Sequence, residues 1–208
     1  MSVLDKVIAA VTPPESEDAR REARARARNA ATSGDWLQKV LDQHMQIEAA
    51  FESVRRAIDE DERIAAHKAL ALILTGHSNA EESVLYPALA RVDEKAHATM
   101  AFSEQAAAKI QMGLLETLPP MSQDYLDKLE HIRGAVRHHM YEEEGKWFLE
   151  LKSKLSSADQ ALLTARFTEE FERYVGSVDD MIDEDELAAG LAMADASRAD
   201  GQGVPAAR

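Results

Sequence analysis

HSNAEESVLYP at residues 77–87 and HMYEEEGKWF at residues 139–148 share one pattern. Each has a histidine, a glutamate four residues on, a second glutamate, and an aromatic residue four further along, ending at Tyr86 and Phe148. On a helix, positions i and i+4 lie on one face a turn apart, so each motif sets an imidazole beside a carboxylate. The flanking apolar periodicity says which way they face. Around the first motif the stripe is Leu70, Leu74, Val84 and Leu85, and His77 and Glu81 fall inside it. Around the second it is Tyr125, Leu129, Ile132, Val136, Met140 and Trp147. His139 and Glu143 sit on or beside that stripe, whereas His138 lies roughly 160° from its centre. The preceding helix carries Leu37, Val40, Leu41, Ile47, Phe51 and Ile58 with His44 in their middle, and His97 shares a face with Met100, Ala101 and Leu115.

Helix-forming residues dominate, and the breaks are well marked. Thr12-Pro13-Pro14-Glu15 reads as an N-cap, a first-turn proline and a capping-box glutamate opening an N-terminal helix. Asp35 with Gln38 starts a helix to about residue 57, and Asp59 or Asp61 caps one running to Tyr86-Pro87. A third covers roughly 92–117 and stops before Pro119-Pro120; a fourth runs from Ser122 to about Leu151, with a bend expected at Gly145. Ser157 with Gln160 caps a last helix to about Val175, and an acidic tail follows from Asp183. The pattern predicts an all-α fold: an up-down-up-down four-helix bundle over 33–155, an N-terminal helical extension over 1–32, and a C-terminal helix and flexible tail over 156–208.

Composition narrows the chemistry. Among 208 residues 24 are basic and 38 acidic, giving a net charge of −14, which argues against nucleic acid or an anionic membrane as partner. No cysteine is present, so disulfides, thiolate catalysis and iron–sulfur sites are excluded, and any metal must be held by His, Asp, Glu or Tyr. No apolar run approaches a membrane span, and MSVLDKVIAAV lacks the features of a secretory signal. A cytoplasmic protein is expected. A buried glutamate costs several kcal/mol unless paired, hydrogen-bonded or metal-bound. Two of them among four core imidazoles suit iron, manganese or zinc.

The order H…HxxxE…H…HxxxE, with Tyr86-Pro87 after the first motif, resembles the hemerythrin-like HHE cation-binding domains over about residues 36–154. The resemblance implies a bundle around two non-haem iron ions with an oxo or hydroxo bridge. One iron would take His44 and His77, the other His97 and His139, with Glu81 and Glu143 bridging. Oxygen-carrying members have a further histidine where this chain has Ala101. Its absence implies an open position at each metal, better suited to bridging peroxide than to reversible oxygen carriage. The expected ligand is dioxygen, peroxide or nitric oxide, with catalase-like peroxide turnover as the enzymatic version. Iron or gas binding for sensing or storage is the alternative, a sensor signalling to a protein partner through the flanking helices. A zinc-stabilised structural bundle is a third class.

Other polar residues read more plainly. Glu48, at i+4 from His44, is expected to hydrogen-bond a ligand imidazole. Glu104 shares the His97 face two turns away. Glu82, Glu142 and Glu144 read as solvent-facing, His67 as a rim or core histidine, His131 and His138 as solvated, and Tyr86, Phe51 and Trp147 as packing.

Overall fold

The computed structural model describes residues 15–92 and 95–176. Six helices and no strand occur among them. Helix α1 spans Glu17–Ala30 and α2 spans Trp36–Arg56. Helix α3 begins at Glu60–Ala80, passes through a π-helical turn at Glu81–Leu85 and ends as Tyr86–Arg91. Helix α4 is Lys95–Leu115, and α5 repeats the α3 design, with Gln123–Glu142, a π turn at Glu143–Trp147 and Phe148–Lys154. Helix α6 is Ser157–Val175.

Side-chain oxygens start these helices by accepting from a backbone N–H three residues on, which relieves the first turn of an unpaired donor. Asp35 accepts from Gln38, Asp59 from Glu62 and Ser122 from Tyr125. Two caps differ from expectation. Ser16, one turn beyond the proline pair, opens α1 by accepting from Ala19, while Thr12-Pro13-Pro14 and the acidic tail lie outside the described residues. Ser156, not Ser157, caps α6, and the Gln160 side chain donates back to Leu155 and Lys152 carbonyls.

Helix α3 does not stop at Tyr86-Pro87 as the proline suggested. The π turn moves the hydrogen-bond register so that Tyr86 N–H bonds Glu81 C=O, five residues back. Pro87 then sits in the first turn of the α-helical continuation, where its missing N–H is tolerated. In α5 the bend expected at Gly145 takes the same form, with Phe148 N–H bonding Glu143 C=O.

Helices α2 to α5 pack in a ring, each against the next and α5 back against α2. Trp36, Leu37, Phe51, Leu70, Leu85, Tyr125 and Leu129 fill the interior, and the predicted apolar faces are buried except Ile58, which lies past the end of α2, and Met100 beside His97, both exposed. The two flanking helices are seated on the bundle. Phe171 and Val175 bring α6 against α3 so closely that a Cβ on Gly76 would meet Val175 Cγ1 at 2.7 Å. Ala23 and Ala27 bring α1 down on the α5 π turn, where Gly145 faces the Ala23 methyl. No helix among the described residues is long and apolar enough to cross a membrane.

Candidate metal centre

Five of the six predicted ligands converge. His44 comes from α2, His77 and Glu81 from α3, and His139 and Glu143 from α5, all buried. They form two triads sharing a residue, His44–His77–Glu81 and Glu81–His139–Glu143, with the ligand atoms of each triad within 4.8 Å of one another. His77 Nε2 lies 3.3 Å from Glu81 Oε1, and His139 Nε2 lies 3.3 Å from Glu143 Oε1. His44 Nε2 spans the two at 3.4 Å from Glu143 Oε2 and 3.9 Å from Glu81 Oε1.

Glu81 Oε1, Glu143 Oε2 and His44 Nε2 are fully buried yet have no hydrogen-bond partner. A fold that strands three polar atoms at one point leaves each with its full desolvation penalty, about 1–3 kcal/mol or more for charged groups. Two carboxylates and three imidazoles with lone pairs turned to a common centre are what one or two cations would satisfy, so the donor set fits a metal. The hemerythrin HHE cation binding domain matches residues 36–151, more than half of the chain. The chain belongs to this family.

The cluster does not include every predicted ligand. His97 stands apart from this hemerythrin-type cluster, half-buried at the start of α4, with its ring stacked on Trp147 at 5.8 Å. Its Nε2 is 3.3 Å from Lys146 Nζ and its Nδ1 is 3.5 Å from Glu150 Oε2. The reason is register. The α4 residues level with the cluster are Glu104 and Gln105, two turns or about 10 Å beyond His97. The assignment of His97 as a ligand is therefore not supported by its position.

An oxygen donor stands where that histidine was expected. The Tyr86 hydroxyl lies 2.9 Å from His139 Nε2, 2.9 Å from Glu143 Oε1, 3.1 Å from Glu81 Oε2 and 2.6 Å from Gln105 Nε2. On an unbroken α-helix, residue 86 points about 140° away from Glu81. The π turn, with more residues per revolution, returns Tyr86 to the face of Glu81. Tyr86 is thus a site residue rather than packing alone, although its ring also packs edge-on against Phe102.

Each clustered imidazole is held from behind at Nδ1, which turns Nε2 toward the centre. His77 is bonded to Gln43 Oε1 at 2.9 Å and His139 to Glu104 Oε2 at 2.8 Å. His44 is bonded at 2.8 Å to Glu144, which is buried rather than solvent-facing. Glu48, expected in that role, instead pairs with Arg24 and Arg137. Glu82 pairs with Lys109, His67 is buried against the Tyr125 hydroxyl, and His138 pairs with Glu15.

Crowding perturbs the metal-free groups. Burial and the neighbouring Glu143 push Glu81 up to about 7. Burial also works against ionised Glu143, but His139 and His44 beside it hold it well below the usual carboxylate range. His139 rises to about 10, since the attraction of Glu143 and the bond to Glu104 outweigh its burial. His77, pressed by burial and by the charge on His44, falls well below the ordinary imidazole value. Perturbations in both directions within one cavity mark a functional site rather than a packed core.

A cleft of about 710 Å³ between α4 and α5 reaches His77 and His139 from outside. Its walls combine apolar Leu74, Met100, Ala108, Ile132, Val136 and Met140 with polar Ser78, Ser103, Glu104, Gln105, Gln111 and Glu130.

Among curated proteins, a DNA nickase of Nostoc sp. (strain PCC 7120 / SAG 25.82 / UTEX 2576) is 27% identical over 84 residues, 40% of this chain and 24% of that protein. The chain thus matches about a quarter of that relative's length. No solved structure matches it.

Proposed function

We propose that this protein holds two iron ions between His44, His77, Glu81, His139, Glu143 and Tyr86, and binds dioxygen, peroxide or nitric oxide there. The observation that carries the reading is the pair of triads sharing Glu81, whose facing atoms are buried and unpaired. Bound iron would supply a redox-active Lewis acid at the inner end of the cleft.

The chain's own residues do the rest. Gln43, Glu104 and Glu144 fix the three imidazoles with Nε2 inward. Glu81, common to both triads, would be shared between the two ions, and Gln105 Nε2 donates to it from 2.5 Å and orients it. The Tyr86 hydroxyl has one proton for two carboxylates, so it donates a hydrogen bond to Glu143 or to Glu81, and its oxygen would be a sixth donor to a bound metal. The α4–α5 cleft admits a small neutral ligand along mixed apolar and polar walls while the remaining bundle excludes water.

The test is metal content and absorption of the aerobically purified chain, followed by addition of hydrogen peroxide. About two irons per chain with near-ultraviolet charge-transfer bands establish the centre, and gas evolution lost in His77→Ala assigns turnover to it. A colourless protein with zinc, or without metal, that still melts cooperatively defeats the proposal.

A further inference from the structure

Helix α1 lies outside the segment matched to the family, yet one of its side chains reaches the ligand shell. Arg24 grips Glu144 with both halves of its guanidinium. Its Nε lies 3.0 Å from both carboxylate oxygens, and Nη2 lies 2.9 Å from Oε1. The remaining Nη1 bonds Glu48 Oε2 at 2.7 Å. The same Glu144 Oε1 is 2.8 Å from His44 Nδ1. Glu144 is 2% exposed, so its charge has no water to fall back on, and this arginine and this imidazole are what meet it.

The geometry is specific to the second motif. Its counterpart in the first, Glu82, is partly exposed and pairs with Lys109. What distinguishes Glu144 from Glu82, which holds the same place in the α3 π turn, is α1, whose Ala23 and Ala27 methyls sit on the α5 turn and set Arg24 over the carboxylate. A planar fork on a carboxylate fixes the carboxylate plane, which a point charge such as Lys does not. With the plane fixed, Glu144 Oε1 takes the Nδ1 proton and the Nε2 lone pair of His44 faces the other ligands.

We infer that Arg24 is a positioning residue for the metal centre, acting on His44 through Glu144, so that the helix preceding the family domain is part of the site. This rests on the metal reading above.

The experiment is cobalt(II) titration of the full-length metal-free protein, followed by its ligand-field spectrum, for the wild type, Arg24→Met, Arg24→Lys, Glu144→Gln and the Arg24→Met/Glu144→Gln double variant. Arg21→Ala, on the exposed face of the same helix, is the control. Loss of a partner behind a ligand typically weakens metal binding 10–100-fold. We expect that loss with a changed spectrum for Arg24→Met, partial recovery for Arg24→Lys, a comparable loss for Glu144→Gln, and no change for Arg21→Ala. The double variant should be no weaker than the worse single one, because the arginine acts only through the glutamate. A folded Arg24→Met protein with wild-type affinity and spectrum overturns the inference, and so do losses that multiply in the double variant. Should Arg24→Met not fold by circular dichroism, Arg24→Lys decides alone, with an unchanged midpoint and spectrum counting against the inference. A wild-type chain that takes up no cobalt removes the metal reading itself, a result distinct from all of these.

Discussion

Replacing Tyr86 by Phe removes one oxygen from a point where four groups meet. The ring stays, because it is wholly buried and packed against Phe102. In the metal-free protein Glu143 Oε1 loses its hydroxyl donor at 2.9 Å, while Glu81 keeps its 2.5 Å bond from Gln105. The bond to Glu143 and the 2.9 Å contact with His139 Nε2 are both lost, and the bond to the charged acceptor alone is worth about 1.5–3 kcal/mol. For a chain of this length each kcal/mol moves the midpoint by about 2–4 °C, so the metal-free variant should melt about 3–12 °C lower. The same oxygen is proposed as a metal donor, and its loss should weaken metal binding about 10–100-fold by the same energy. The ferric protein should also lose a visible phenolate-to-metal band. Calorimetry in chelator gives the first number, competition titration with iron(II) the second, and absorption the third. A variant that melts within about 1 °C of wild type and binds iron with unchanged affinity and colour would show that the hydroxyl is a bystander.

Four further outcomes are expected. Saturating the metal-free protein at about 100 times the dissociation constant should stabilise it by about 2.7 kcal/mol, raising the midpoint by about 5–11 °C; an unmoved midpoint would mean the triads bind nothing. His97→Ala should leave metal stoichiometry intact while His139→Ala abolishes one site, and equal losses would restore His97 to the ligand set. Asp35 accepts from Lys152 Nζ at 2.6 Å and caps α2, and although its burial works the other way, those bonds hold its carboxyl below 3.8. Because the folded value is depressed, its contribution is present above about pH 4 and lost as pH falls through the folded value. Urea unfolding of Asp35→Asn should then show a deficit of about 1–2 kcal/mol at pH 7 that shrinks in acid, and a deficit independent of pH would refute the pairing. Gly76→Ala forces a methyl to 2.7 Å from the stiff Val175 side chain, so it should destabilise by about 1–3 kcal/mol unless α6 is not seated on α3.

Periodicity made the four core helices and five ligands legible, because a 100° wheel holds wherever the helix stays α. His139 could be told from His138 for that reason, and Glu143 follows it at i+4. The wheel fails where its premise fails. Tyr86 lies just past a π turn, where a residue falls about a quarter turn from its α position, and Glu144 is buried because α1 covers its side of α5; both were read as outside the chemistry. His97 fails differently. Its face was read correctly, but the axial level of α4 against its neighbours is set by the α3–α4 connection and by packing, which a single helix's pattern does not encode. Arg24 lay further out of reach, since among several interleaved arginines on α1 only the docking of Ala23 and Ala27 selects it.

The sequence repeat suggests two equivalent halves, but the geometry makes them chemically unequal. The triad on the His44 side offers two imidazoles with the shared carboxylate Glu81. The triad on the His139 side offers one imidazole and two carboxylates, with the Tyr86 oxygen beside them. A nitrogen-rich pocket next to an oxygen-rich one prefers different charge states, since carboxylate and phenol oxygens are harder donors than imidazole. The surroundings reinforce the difference. Behind His44 stands an ionised Glu144 whose charge Arg24 offsets, whereas behind His139 stands Glu104, partly exposed. The α4–α5 cleft reaches one imidazole of each triad, His77 and His139, so the inequality lies in what stands beside and behind them and not in access. The likeness of the two motifs thus accounts for the bundle, and the differences between their second glutamates and between His44 and Tyr86 make its two halves unequal.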